Sequence, residues 1–281
     1  MNSLGEISTY EVQGIMPNPS LSHRLLTFSA ALARKATTLF SLAHSWLLVY
    51  RDGLDPRSLM PMERLQYLEL RPVLTCRPKI VVYDIGANVG EFACFLAKSP
   101  SVATIYCFEP LPQVFPELRR RTQNQGNIHC FPIALGDQTG RRPMYVNRFT
   151  PSSSVLPMTR IHQEELPDSL EAHSIEVSMM SLEDAVQEFH LLPPDFIKID
   201  VQGFEDRIIQ GGRKILQTAR FCMLELSLVT LYEQSALITQ MNAQMRDLGF
   251  RLVKIVGEIK GKTGEILQFD GLYRNDRFAS R

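Results

Sequence analysis

The 281-residue sequence has no excess of charge of either sign: 30 Lys and Arg balance 30 Asp and Glu. Without a basic surplus, no overall field draws in nucleic acid or an acidic membrane, so no nucleic-acid partner is expected. Cys-x-x-Cys spacing is also missing. The five cysteines, Cys76, Cys94, Cys107, Cys130 and Cys222, are odd in number and mostly sit in apolar runs. That pattern speaks against a zinc site and reads as buried reduced thiols in a cytoplasmic protein. No long apolar run is present. The stretch from Leu25 to Tyr50 is interrupted by Arg34, Lys35 and His44, well before the roughly 18 apolar residues that a membrane span needs. One or two amphipathic helices packing on the rest of the chain are expected there, with a helix lying on a membrane surface as the rival. The polar start, Met1 to Ser20, lacks the basic and apolar parts of a secretory signal. There is no repeat and no low-complexity tract.

The length suits one α/β domain with an N-terminal extension and is too short for two large domains. A boundary is expected near residue 75, giving a helical extension over 1–75 and a main domain over 76–281. Asp52 to Pro56 reads as a turn, Pro61 to Leu70 as a short helix. From Lys79 strands and helices alternate. Ile80 to Asp84, Ala103 to Phe108 and Ile128 to Leu135 read as strands. Val89 to Lys98 and Pro112 to Gln123 read as the helices between them. This β-α-β-α-β series predicts a parallel sheet with right-handed crossovers. Further strands are expected at Gly140 to Thr150, Ser174 to Met180, Phe196 to Asp200 and Phe221 to Leu226. Helices are expected at Leu182 to Phe189, with Ser181 as N-cap, at Glu205 to Leu216, and at Leu237 to Leu248, closed by Gly249. Phe250 to Val256 and Ile266 to Tyr273 suit a C-terminal antiparallel hairpin. Such a hairpin separates a Rossmann-like methyltransferase topology from an ordinary dinucleotide fold.

The segment Asp84-Ile85-Gly86-Ala87-Asn88-Val89-Gly90 follows a strand and opens a helix. Its glycines permit a tight turn and let backbone N–H groups approach a ligand. The dinucleotide fingerprint G-x-G-x-x-G is not met, because the positions run Gly86, Asn88, Gly90. An acid at Asp84 suits a ligand carrying an ammonium and a sulfonium, and S-adenosylmethionine has both. Glu109, at the end of the second strand, is expected to accept from both ribose hydroxyls. Asp137 is either an acceptor for the adenine amino group or a plain turn residue. Ala134 and Leu135 would line the ring.

With these residues in hand, the chain resembles the FkbM family of methyltransferases. The matching stretches are Val82 to Gly90, Phe108-Glu109-Pro110, Ala134-Leu135-Gly136-Asp137 and, most diagnostic, Phe196 to Glu205. The resemblance covers about Lys79 to Tyr273 and leaves the first 75 or so residues outside it. It implies a class I S-adenosylmethionine enzyme that O-methylates a hydroxyl of a sugar, glycan or small metabolite. It identifies neither the acceptor nor the oligomeric state.

Methyl transfer from a sulfonium is an in-line displacement with a neutral leaving group, so the enzyme's work is alignment, helped by a base when the nucleophile is a hydroxyl. Asp200, ending a buried strand, is the expected base, since a carboxylate there is costly without a task. Glu205 begins a helix and reads either as a first-turn acid or as a substrate contact. Glu225, between Leu224 and Leu226, is expected to point into the cleft. The polar loop from Thr150 to His173 is expected to fold over the acceptor with Ser153 and His162, and His162 or His173 is an alternative base. No metal is expected, because only Asp200 of the nearby acids is well situated. The competing reading is a catalytically silent binding or scaffold protein on the same fold. A nicotinamide-dependent oxidoreductase is disfavoured by the glycine spacing.

Overall fold

Short apolar runs bounded by turn residues become strands buried on both faces, the condition of a central parallel strand. In the computed structural model, which describes residues 44–169 and 171–278, this holds for β1 (Ile80–Ile85) and most of β2 (Val102–Phe108), while β3 (Ile128–Phe131), at the edge of the sheet, is only partly buried. After them come β4 (Ala134–Gly136), β5 (Gly140–Asn147) and β6 (Glu171–Ser181), then β7 (Phe196–Ile199), β8 (Phe221–Ser227), β9 (Phe250–Lys260) and β10 (Ile266–Asn275). The main sheet has the order β3-β2-β1-β7-β8-β10-β9. Its first five strands are parallel, and β10 runs antiparallel to both neighbours. This is the Rossmann-like α/β arrangement with a C-terminal hairpin. A second sheet, β4-β6-β5, stands beside it.

The expected strand from Ile128 to Leu135 divides in two. Pro132 has no N–H to give a ladder, so the chain leaves the main sheet after Phe131, and Ala134 to Gly136 pair with β6 instead. The expected helix from Glu205 to Leu216 likewise breaks at Gly212 into α6 (Glu205–Gly211) and α7 (Arg213–Leu216). The helix expected from Pro112 starts later, as α3 (Phe115–Thr122). Of the helices expected between Leu25 and Tyr50, the part up to 43 lies outside the described residues; residues 44–51 are helical.

Alternation along the strands sorts side chains into two layers. Tyr83, Ile85, Ile197, Ile199 and Leu224 face one side, packed on α5 (Leu182–Glu188), α6 and α8 (Ile238–Asp247). Val82, Phe196, Met223 and Leu272 face the other, packed on α1 (Pro61–Leu74) and α2 (Glu91–Ala97). Val49, Leu54 and Leu59 join this second layer, so the described part of the N-terminal segment is built into the core. No described helix is long and apolar enough to cross a membrane. The remaining helix, α4 (Arg160–Glu165), lies in the loop between β5 and β6.

On the α1/α2 side, Asp84 and Lys198 are register partners on β1 and β7. The Lys198 ammonium sits 3.6 Å from Asp84 and 3.0 Å from Asp200, and 5.4 Å from the centre of the Phe92 ring. Removing one member of a buried pair leaves an uncompensated charge. Lys198→Met is therefore expected to lower unfolding free energy by about 3–5 kcal/mol in urea titrations. Adding Asp84→Asn to it should recover part of that loss. A separate constraint holds α6 on the second sheet: a Cβ on Gly211 would lie 2.0 Å from the Gly136 carbonyl oxygen. Gly211→Ala should cost about 1–3 kcal/mol by overpacking, read from the same titration.

Candidate active site

The sheet order reverses direction at β1, with β2 on one side and β7 on the other. In open α/β sheets the crevice beyond the carboxyl ends of the strands at such a point is where ligands bind. A narrow cleft opens there. Gly86, Asn88, Glu109, Leu135, Ser153 and Asp200 of the expected site residues line it, together with the apolar Phe108 and Ile133. The tight turn is made at Gly86, with φ of 82°. A Cβ there would lie 1.9 Å from the Asp200 carbonyl oxygen, so only glycine lets the two strand ends meet.

Glu109 leaves the end of β2 and is almost fully buried. Its two oxygens accept from the Asn88 and Leu111 N–H groups, each at 2.9 Å. Burial pushes its carboxyl up to about 7, against the pull of the two N–H groups. Each oxygen keeps a lone pair for a further donor. A carboxylate beside the apolar wall of Phe108, Ile133 and Leu135 fits a nucleoside, with hydroxyls at one end and a ring at the other.

Four expected cofactor residues do not line this cleft. Asp84 is 0% exposed; alternation turns it to the α1/α2 side with Val82, where it faces Lys198 rather than a ligand. Burial, partly offset by Lys198, raises its carboxyl above the usual range. Ala87 packs in the α1/α2 layer, and its N–H, like that of Gly86, donates to the Phe108 carbonyl. Gly90 caps α2 and abuts Leu118 of α3. Asp137 sits in the turn after β4, beside Gly211 and near Asp206; once Pro132 diverts the chain, this residue is carried past the cleft.

A larger, more open cavity adjoins the cleft, and Pro151, Asp200 and Gln202 line both. Asp200 is held from two sides: Lys198 donates to Oδ2 and Gln202 Nε2 to Oδ1, both at 3.0 Å. Gln202 Nε2 also donates to Glu225 at 2.9 Å, and Tyr232 donates to Gln202 Oε1 at 2.8 Å. Glu225 lines the cavity as expected; burial first, then the nearby Asp200, hold its carboxyl well above the ordinary range. His162 lines it too, 1% exposed, edge-on to Tyr232, with Nε2 2.8 Å from Ser169 Oγ. Burial lowers its pKa, so it is neutral at neutral pH.

Glu205 lines neither space. Its Oε1 accepts from the Val201 and Gly203 N–H groups and so closes the turn that carries Asp200, the first-turn role rather than a substrate contact. Ser153 accepts from the Asn147 N–H at 3.0 Å. His173 is exposed on β6, away from both cavities. Asp270, Gln202 and Tyr232 were not singled out by sequence reasoning. Gln202 lay inside the diagnostic Phe196–Glu205 stretch. Asp270 had the signal of a polar residue in an apolar strand, but its partner Glu225 depends on a sheet order that no local pattern reveals.

Residues 84–252 match the family model of the methyltransferase FkbM domain. Among curated proteins, the 2-O-methyltransferase NoeI of Sinorhizobium fredii is 29% identical over 163 residues, covering 56% of this chain and 67% of that protein. The 31-O-demethyl-FK506 methyltransferase FkbM of Streptomyces tacrolimicus is 26% identical over 209 residues, covering 66% and 77%. The hexuronic acid methyltransferase AglP of Haloferax volcanii is 24% identical over 178 residues, covering 60% and 68%. With most of its sheet and both cleft-forming loops inside the matched region, the chain belongs to the FkbM family of S-adenosylmethionine-dependent methyltransferases.

Proposed function

We propose that this enzyme O-methylates a hydroxyl of a sugar, glycan or small metabolite, with the donor in the Gly86–Glu109 cleft and the acceptor in the adjoining cavity. The observation that carries the reading is that two cavities meet at one carboxylate, Asp200. Three relatives named for transfer to a 2-O position, a 31-O position and a hexuronic acid support a hydroxylated acceptor. S-adenosylmethionine supplies a methyl group on a positively charged sulfur, open to in-line attack. Glu109 would accept from the ribose hydroxyls, and Phe108, Ile133 and Leu135 would flank the adenine. Asp200 would orient the acceptor hydroxyl and take its proton, held in position by Lys198 and Gln202. In this reading residues 76–281 carry the reaction, and the described residues before them are a helical extension. Five free cysteines fit a reducing, cytoplasmic setting.

The cofactor half is tested by calorimetry with S-adenosylhomocysteine. Binding is expected for the wild type. Glu109→Ala should weaken it by about 1.5–3 kcal/mol, the worth of hydrogen bonds to a charged acceptor, or roughly ten- to hundredfold in Kd. The ribose hydroxyls need the ionised carboxylate, and burial raises its pKa to about 7. Affinity should therefore rise as pH increases through about 7 and then level off, while Glu109→Ala shows no such step. An unchanged Kd in the variant would remove Glu109 from the site. The transfer itself is read by mass spectrometry as a gain of one CH₂ on the acceptor.

A further inference from the structure

The acceptor cavity has a one-signed lining. Asp270 and Glu225 are register partners on β10 and β8, and Asp200 follows β7, the neighbour of β8. Three carboxyls from three adjacent strands therefore form one wall, and Glu165 and Asp168 line the same space. No Lys or Arg lines it among the described residues. The nearest buried cation, Lys198, is already shared between Asp84 and Asp200. His162 is uncharged, and the Leu231 backbone lies near its ring, but no hydrogen bond satisfies Nδ1. No described group in this lining offers a positive charge to an anion.

The same lining suits hydroxyls. Gln202 and Glu225 are tied together, and Gln268 stands beside them, bonded to Ser227. Burial and the nearby Asp200 hold the Glu225 carboxyl well above its ordinary range, which favours its protonated, donating form, while Asp270, raised to about 6 by burial and Asp200 against the pull of Lys198, is mostly ionised at neutral pH and can accept. Among the described residues, the Asp270 carboxylate makes no hydrogen bond or ion pair. A hydroxyl both donates and accepts, so adjacent hydroxyls match such a donor–acceptor pair. A carboxylate or phosphate brings only acceptors and negative charge to it.

We propose that this cavity takes a polyhydroxylated acceptor that carries no acidic group, and that Asp270 is the specificity-determining residue that excludes uronates and phosphorylated sugars. The inference rests on the adjoining cavity being the acceptor site. It separates this enzyme from the relative named for hexuronic acid.

The test uses the full chain saturated with S-adenosylhomocysteine and saturation-transfer NMR. Probes are matched pairs of methyl glycosides and methyl glycosiduronates in the gluco, galacto and manno series, which differ only at the carboxylate. In any series that binds, the neutral member should bind about tenfold or more tightly than the uronate, the scale of one nearby like charge. Asp270→Asn, with Asp270→Ser as a second variant, should narrow that gap by admitting the uronate, with S-adenosylhomocysteine affinity unchanged. Uronates binding as well as neutral glycosides, no probe binding at all, or a gap that both variants leave intact would each overturn the proposal. Failure to bind S-adenosylhomocysteine in the first step is a different result, and it counts against the cofactor site instead.

Discussion

Lys198 is an ammonium buried in the middle of a sheet, and the arrangement of the site follows from its need for counter-charge. A lone cation there would cost several kcal/mol in desolvation. Burial tends to lower its pKa, but Asp200 and Asp84 together hold it above the ordinary lysine value. Asp84 meets it from the neighbouring strand and Asp200 from two residues further along its own. Because Asp84 is fixed in β1, Lys198 is fixed, and Asp200 is then held at the rim where the two cavities join. The buried pair thus transmits the geometry of the core to the one carboxylate that lines both cavities.

Glu205 supports the same point from the other side. Its carboxyl closes the turn after Asp200 through two backbone N–H groups, so the loop cannot swing away from the strand end. Gly86 then touches the Asp200 carbonyl, leaving no room for the β1 loop and the β7 loop to separate. The methyl-transfer chemistry asks for alignment above all, and these contacts are ways of removing freedom from the aligning groups.

Much of this was legible in the sequence because apolar runs ending in acids announce parallel strands and their carboxyl ends. Glu109, Gly86, Asn88, Leu135 and Asp200 are read that way, and all five line the cleft. What alternation decides was harder to read: Asp84 and Ile85 are neighbours in the chain, yet one faces a buried lysine and the other the cleft. Assigning Asp84 to the donor treated the strand end as a point when it has two faces. Asp137 was lost for a different reason. Pro132 ended the ladder inside an otherwise apolar run, and the residues after it joined another sheet. The cavity beyond Asp200 was the least legible part, since Asp270 meets Glu225 only if β10 inserts between β8 and β9.

That insertion divides the labour of the fold. Parallel strands bring their carboxyl ends to the crevice, and the ends of β1 and β2 line the cleft. An antiparallel strand offers its beginning instead, so the start of β10 brings Gln268 and Asp270 to the edge where β8 ends. Beside Asp200, Gln202 and Glu225 from the parallel strands, the adjoining cavity is thus lined by the hairpin and by the loop that bears Pro151 and His162, elements that lie off the parallel frame. Neither Glu109 nor Gly86 is part of that lining. A fold organised in this way can keep one donor chemistry while its acceptors differ in charge and shape.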